Sequence, residues 1–162
     1  MDKKIFIATI ITIILLILSF WIWISNPKNR INIFFSLTLA FTGLWGLQES
    51  FMLIGRSVEW VTFWGMTSYA FGLTIPFFFL FFAIYFPYQN KILDKNTNSL
   101  IIIVYLVGAV IAVYPGGVVK EGIIRNGHGD IILNTPVYII WLIIFIFFFT
   151  NDNYFDIFCI LL

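Results

Sequence analysis

A run of twenty residues without a charged side chain, Ile5 to Ile24, follows two lysines near the start of the chain. Twenty helical residues rise about 30 Å, which matches the hydrocarbon thickness of a bilayer. The run is too long for the apolar core of a cleaved signal peptide, and it ends in FWIWISNP rather than in small residues at a cleavage site. It therefore predicts a retained membrane helix, for which a signal-anchor role is one option.

The composition of the whole chain requires the same solvent. Of 162 residues, 61% are hydrophobic and 10% are charged, and the mean hydropathy is +1.00. Soluble domains carry about 25% charged residues, so polar surface is too scarce here to cover a globule in water. A formal net charge of +1 gives no indication of a nucleic-acid partner. Cys159 is the single cysteine of the sequence, which excludes an intrachain disulfide.

Four more apolar runs follow the first, and they predict helices at about 5–24, 31–55, 60–86, 98–114 and 136–150. Between the last two, VVKEGIIR and DIIL are β-prone, and Asn126-Gly127 suits a tight turn. These patterns predict an all-α transmembrane helix bundle of about five membrane helices, with a small external β-hairpin at about 116–133. Residues 1–162 would form one integral membrane domain, without a soluble catalytic domain.

The segment DIFCILL, at 156–162, resembles the first turns of a sixth helix. Because the sequence ends a few residues into this apolar run, we expect a fragment or a truncated form of a longer domain.

The second predicted helix carries two stripes of small or polar residues. Ser36, Gly43 and Ser50 recur at seven-residue spacing, and small residues on one stripe let a neighbouring helix approach closely. The second stripe consists of Thr38, Thr42, Trp45 and Glu49. We therefore expect this helix inside the bundle.

Glu49 is the most informative ionisable residue, because a carboxylate within a membrane helix is costly and by default faces protein or water. One interpretation is an interfacial carboxylate that reaches headgroups or pairs with Arg56. The other is a ligand pocket in the outer half of the bundle, formed by Glu49 with Gln48 and Trp45. If the hairpin folds over the bundle, two of its cations are candidate partners of Glu49: Lys120 and Arg125.

Catalytic constellations are missing from the sequence. There is no phosphate-binding glycine loop and no dinucleotide fingerprint. The only histidine, His128, has no second histidine or nearby cysteine to share a metal, so we expect no metal site and no cofactor. His128 is interpreted as a solvated turn residue, with a pH-responsive group on an external loop as the alternative.

Two segments, NPKNRINIFFSLTLAFTGLW and PFFFLFFAIYFP, carry a family resemblance. Over about residues 5–150 the chain resembles the N-terminal seven-transmembrane region of bacterial and archaeal histidine kinases. That family has an N-x-x-N-R turn, a Trp after small residues, and a Pro before an F-x-x-F-A-x-x-F-P ending. The matching residues are Asn26, Asn29, Arg30, Trp45, Pro76, Phe79, Phe82, Ala83, Phe86 and Pro87. Family members often carry His where this chain has Phe82.

In the turn, Pro27 disfavours helix at the residue before it, and Pro76 is expected to kink the third helix by removing one backbone hydrogen bond. The simpler interpretation is that this bend is a fixed structural feature and not a moving hinge.

The resemblance implies a sensor or input module of a two-component system in the cell membrane, multi-pass, with its N-terminus outside. The charges alone show no bias, with five Lys and Arg residues on one side and four on the other. The expected partners are the lipid bilayer, downstream signalling domains or a second copy, and a small-molecule stimulus. Kinase activity would need domains that this chain lacks. The alternative function is a small integral membrane protein acting as a structural partner or transporter component.

Overall fold

The computed structural model describes residues 3–86 and 95–150. They form five helices and a two-stranded sheet: α1 (Lys3–Ser25), α2 (Arg30–Leu53), α3 (Val58–Tyr85), α4 (Lys95–Val113), β1 (Val119–Arg125), β2 (His128–Leu133) and α5 (Thr135–Thr150). The predicted mostly helical fold with one small hairpin is therefore confirmed. The predicted helix exit at Pro87 and the sixth helix at 156–162 lie outside the described residues.

Four of the five helices, α1 to α4, are long and apolar enough to cross a membrane. The fifth contributes a shorter apolar segment, Thr135–Phe148. Within the described residues, the predicted number of five helices is thus correct, while the length required for a full span is reached by four.

The third helix is the centre of the bundle, since it contacts α2, α4, α5 and both strands. In its most apolar stretch 39% of the residues are buried, against 11% in α1. Leu73, which is fully buried, belongs to a core cluster that also includes Ile101 of α4 and Trp141 of α5. Burial of such side chains against three neighbours makes α3 the element on which the others are positioned.

Small and hydroxylated residues pair α1 with α2. The Thr12 hydroxyl donates to the Gly43 carbonyl at 3.0 Å, and the Ser19 hydroxyl donates to the Ser36 carbonyl at 2.7 Å. A Cβ at Gly43 would lie 3.3 Å from the Thr12 carbonyl oxygen. The expectation that the Ser36 and Gly43 stripe faces a neighbouring helix is confirmed, because only small side chains permit this approach.

The hairpin has the turn that its sequence predicts. Asn126 and Gly127 both have positive φ angles, 52° and 77°, and Arg125 pairs with His128 across the turn. Both residue types tolerate this left-handed conformation, which matches the twist of a two-residue hairpin. The pairing is antiparallel, with an irregularity between Val119 and Glu121.

The hairpin packs closely against the end of the bundle where α2 ends and α3 begins. A Cβ at Gly129 would lie only 2.0 Å from the Met52 carbonyl oxygen, so backbone meets backbone there. The Gly122 N–H donates to the Thr62 hydroxyl of α3 at 2.8 Å. The hairpin is therefore held as a cap on this end of the bundle.

Asn134 connects this cap to α5. Its backbone N–H donates to the Val118 carbonyl at 2.9 Å, and its side-chain amide donates to the Gly116 carbonyl at 2.9 Å. Its own carbonyl accepts from the Tyr138 N–H at 2.8 Å, within the first turn of the helix. These three bonds fix the start of α5 to the base of the hairpin.

At the opposite end, the NPKNR turn has a direct structural role. The Asn29 side chain caps α2 by accepting from the Ile31 N–H at 2.9 Å. Arg30 lies over the Tyr85 ring at 5.2 Å and approaches the Tyr85 hydroxyl at 3.4 Å. The turn between α1 and α2 and the end of α3 therefore lie together, away from the hairpin.

Candidate ligand cavity

A cavity of about 340 Å³ lies between α2, α3 and α5. Each helix contributes residues at helical spacing, so that one face of each points to the same space. The lining residues are Trp45, Glu49, Ser68, Tyr69, Gly72, Ile75, Pro76, Tyr138, Trp141, Leu142 and Phe145.

A chain of hydrogen bonds joins α2 to α3 at the polar wall of this cavity. The Trp45 indole N–H donates to the Ser68 hydroxyl oxygen at 3.0 Å. The Ser68 hydroxyl in turn donates to the Glu49 carboxylate. Because Trp45 and Glu49 are four residues apart on one helix face, a single serine on the neighbouring helix fixes both side chains.

Among the described contacts, the Glu49 carboxylate is hydrogen-bonded to Ser68 and not to Arg56. The Arg56 guanidinium lies over the Trp60 ring, 5.0 Å from the ring centroid. The hairpin cations Lys120 and Arg125 are exposed and are not part of the cavity wall. The carboxylate therefore faces a cavity in which none of the described lining residues is a lysine or an arginine.

The opposite wall is aromatic. The Tyr69 ring meets the Trp141 ring edge-on, at 5.2 Å and 89°, and Trp141 stacks on Phe145 at 5.3 Å. Tyr138 completes the stripe one turn earlier on α5, 6.3 Å from Trp141. The indole nitrogen of Trp141 is buried and has no hydrogen-bond partner among the described residues. This side of the cavity thus consists mainly of aromatic rings.

Pro76 lies in the wall, within an α3 that continues as one helix from Val58 to Tyr85. Proline has no N–H, so the carbonyl of Gly72, four residues earlier, lacks its usual helical donor. Gly72 also lines the cavity. The residue expected to kink α3 therefore lies beside the candidate site.

Two of the three predicted ligand-binding residues, Trp45 and Glu49, line the same cavity. The third, Gln48, is buried elsewhere on α2, and its amide oxygen has no partner within the described part of the chain. Adjacent helical residues point about 100° apart, which explains why Gln48 and Glu49 do not share a wall.

Sequence reasoning missed the contributions of α3 and α5, namely Ser68, Tyr69, Tyr138 and Trp141. The spacing of Tyr138, Trp141 and Phe145 does place three aromatic residues on one helix face. This spacing is visible in the sequence. No local pattern, however, indicates which helix packs beside α2.

A second groove, of about 270 Å³, lies between α1 and α2 and is lined mainly by apolar residues. Its serine hydroxyls, Ser19 and Ser36, already donate to backbone carbonyls. None of its described lining residues is ionisable, whereas Glu49 lines the larger cavity, which is therefore the better candidate.

No family model matches this chain, and no curated protein or solved structure matches it either. What the cavity can bind is therefore inferred from its own lining residues.

Proposed function

We propose that the chain is a multi-pass cell-membrane protein that serves as the sensor or input module of a signal-transduction histidine kinase, with its N-terminus outside. It would not itself catalyse a reaction. The observation that carries the proposal is the cavity between three helices, with a positioned carboxylate on one wall and aromatic rings on the other.

Placement in a membrane is supported by the surface of α1. Its exposed side chains are almost all apolar, and lipid solvates such a surface where water would not. They include Phe6, Ile7, Ile10, Ile11, Ile13, Ile14, Ile17, Leu18, Phe20 and Trp21.

Sensing is supported by the position of the cavity. A small molecule in it would touch α2, α3 and α5 at once, and α3 packs against most of the remaining elements. A ligand shifts a conformational equilibrium by as much as its affinities for the two states differ. A site shared by three helices can meet this condition whenever their packing changes.

The resemblance to histidine-kinase input regions adds a second line of support. Its two matching segments are far apart in sequence, yet Arg30 of the turn contacts Tyr85 of the aromatic ending. The contact gives both segments a shared structural role at one end of the bundle.

The proposal is tested by joining the chain to a histidine-kinase core and measuring autophosphorylation in lipid nanodiscs against a panel of amines, acids and neutral compounds. We expect at least one compound to change the rate in a saturable way. Glu49→Gln should leave membrane insertion intact and shift the half-maximal concentration by about tenfold or more, as loss of a charge-assisted contact predicts.

Glu121→Gln, on the exposed strand β1, is the matched control and should keep the wild-type dose response. An identical dose response for Glu49→Gln would remove the carboxylate from the sensing site. Saturable transport of an active compound, without any change in phosphorylation, would favour the transporter alternative instead.

A further inference from the structure

We infer that the cavity between α2, α3 and α5 binds an organic cation, an ammonium group attached to a small apolar body. The inference rests on the proposed function, because it names the ligand class of the same site.

Glu49 is the acidic side chain among the described residues that line the cavity. Its carboxylate accepts the Ser68 hydroxyl proton, and that serine accepts from Trp45, so the hydrogen bonds are all directed toward the carboxylate. A carboxylate in an apolar setting needs a positive partner, because an unpaired charge there is costly.

Among the described residues, none supplies such a partner at this site. The described lining residues include no lysine or arginine, and two described arginines lie over rings elsewhere, Arg30 over Tyr85 and Arg56 over Trp60. An anionic ligand would meet a like charge, and a neutral ligand would leave the carboxylate unpaired.

The side chains at the cavity do not suit a metal ion as the natural cation. Within residues 3–86 and 95–150, no group of three or more His, Cys, Asp or Glu side chains could hold a metal. The described lining side chains offer one carboxylate and three hydroxyls, those of Ser68, Tyr69 and Tyr138, which are fewer oxygen ligands than the six or more that a hard divalent cation takes.

The aromatic residues of the cavity suit an ammonium group. Cations are attracted to the faces of tryptophan and tyrosine rings. Trp45 also lines the cavity, and the hydrogen bond from its indole N–H to Ser68 fixes its ring beside Glu49. Tyr69 and Tyr138 add two further rings to the same space.

The size and the remaining surface define the rest of the ligand. A volume of about 340 Å³ lies near the small end of ligand pockets. Ile75, Leu142 and Phe145 give the cavity an apolar part, which would hold a short aliphatic or aromatic group.

The test uses the full chain in nanodiscs with three probes of similar shape: benzyltrimethylammonium, its uncharged carbon isostere neopentylbenzene, and benzenesulfonate. Radiolabelled benzyltrimethylammonium should bind saturably. The unlabelled cation should displace it, whereas the isostere and the sulfonate should require at least about tenfold higher concentrations. Equal displacement by the isostere would overturn the inference, and this result needs no variant.

Variants then assign the charge to Glu49. Glu49→Gln should weaken binding of the cation by about 10-fold to 100-fold, while Glu49→Asp, which keeps the charge, should retain preference for the cation over the isostere. Glu121→Gln is the control. Unchanged affinity in a folded Glu49→Gln protein, checked by thermal unfolding, would overturn the site.

The two proposals fail in different measurements. If the cation binds at Glu49 but kinase output in the fusion never changes, the cation site stands and the sensor function falls. If output responds through the cavity to neutral or acidic compounds alone, the sensor function stands and the cation inference falls.

Discussion

Ser68 is the residue on which the polar part of the cavity depends. It is 2% exposed, and its one hydroxyl accepts from Trp45 and donates to Glu49, both on another helix. Among the described contacts, this serine alone links the indole to the carboxylate. Its removal would leave the Trp45 N–H and the Glu49 carboxylate without their shared hydrogen-bond partner.

Ser68→Ala should therefore destabilise the protein by about 1–3 kcal/mol, the typical cost of leaving buried polar groups without partners. The measurement is thermal unfolding of the purified protein in detergent. Ser25→Ala is the control, because Ser25 is exposed and bonds only to the Trp21 carbonyl of its own helix. Equal unfolding temperatures for the two variants would mean that the chain of hydrogen bonds adds no stability.

At the scale of elements, small and hydroxylated residues let α1 and α2 pack closely and form hydrogen bonds with each other. Lipid is as apolar as leucine, so helices in a bilayer gain most from close packing and from hydrogen bonds between them. Gly43 provides both, since it admits the α1 backbone and accepts the Thr12 hydroxyl.

Gly43→Ala should weaken this pairing by about 1–3 kcal/mol, because its Cβ would lie 3.3 Å from both Leu15 Cβ and the Thr12 carbonyl oxygen. Gly46 is the matched control on the same helix. An added Cβ there would lie 3.6 Å from the Thr12 hydroxyl oxygen, an ordinary contact. The free energy of unfolding measures the difference, and a Gly46→Ala protein as unstable as Gly43→Ala would contradict it.

For the whole molecule, the contacts sort the connections into two ends. The hairpin packs where α2 meets α3, and the turn before α2 lies beside the end of α3. The proposed orientation places the hairpin end outside and the NPKNR end in the cytoplasm.

In a Cys159→Ser background, Asn126→Cys should react with a membrane-impermeant maleimide in intact cells, because Asn126 is exposed at the tip of the hairpin. Lys28→Cys, exposed in the opposite turn, should react only after the cells are permeabilised. The opposite labelling pattern would reverse the orientation, and labelling of both sites in intact cells would argue against a membrane-spanning bundle.

The helices, the hairpin and its turn were predictable because they depend on local patterns: charge-free runs, β-prone residues and Asn126-Gly127. The α2 wall of the cavity was predictable for the same reason, since Trp45 and Glu49 share a helix face. Ser68 and Trp141 were not, because their roles depend on which helices lie beside α2. That arrangement is set by packing between distant segments, such as Gly129 against Met52, and no short window of sequence records it.

The attachment of Asn134 to the base of the hairpin has a mechanical consequence. Because the start of α5 is held in place, a tilt of the helix would pivot there. Tyr138 and Trp141 lie near this pivot and line the cavity. A 16-residue helix is about 24 Å long, so a tilt of about 5° at this pivot displaces its far end by about 2 Å. A small change in the space beside Trp141 would thereby produce a larger displacement at the end of α5 that lies away from the hairpin.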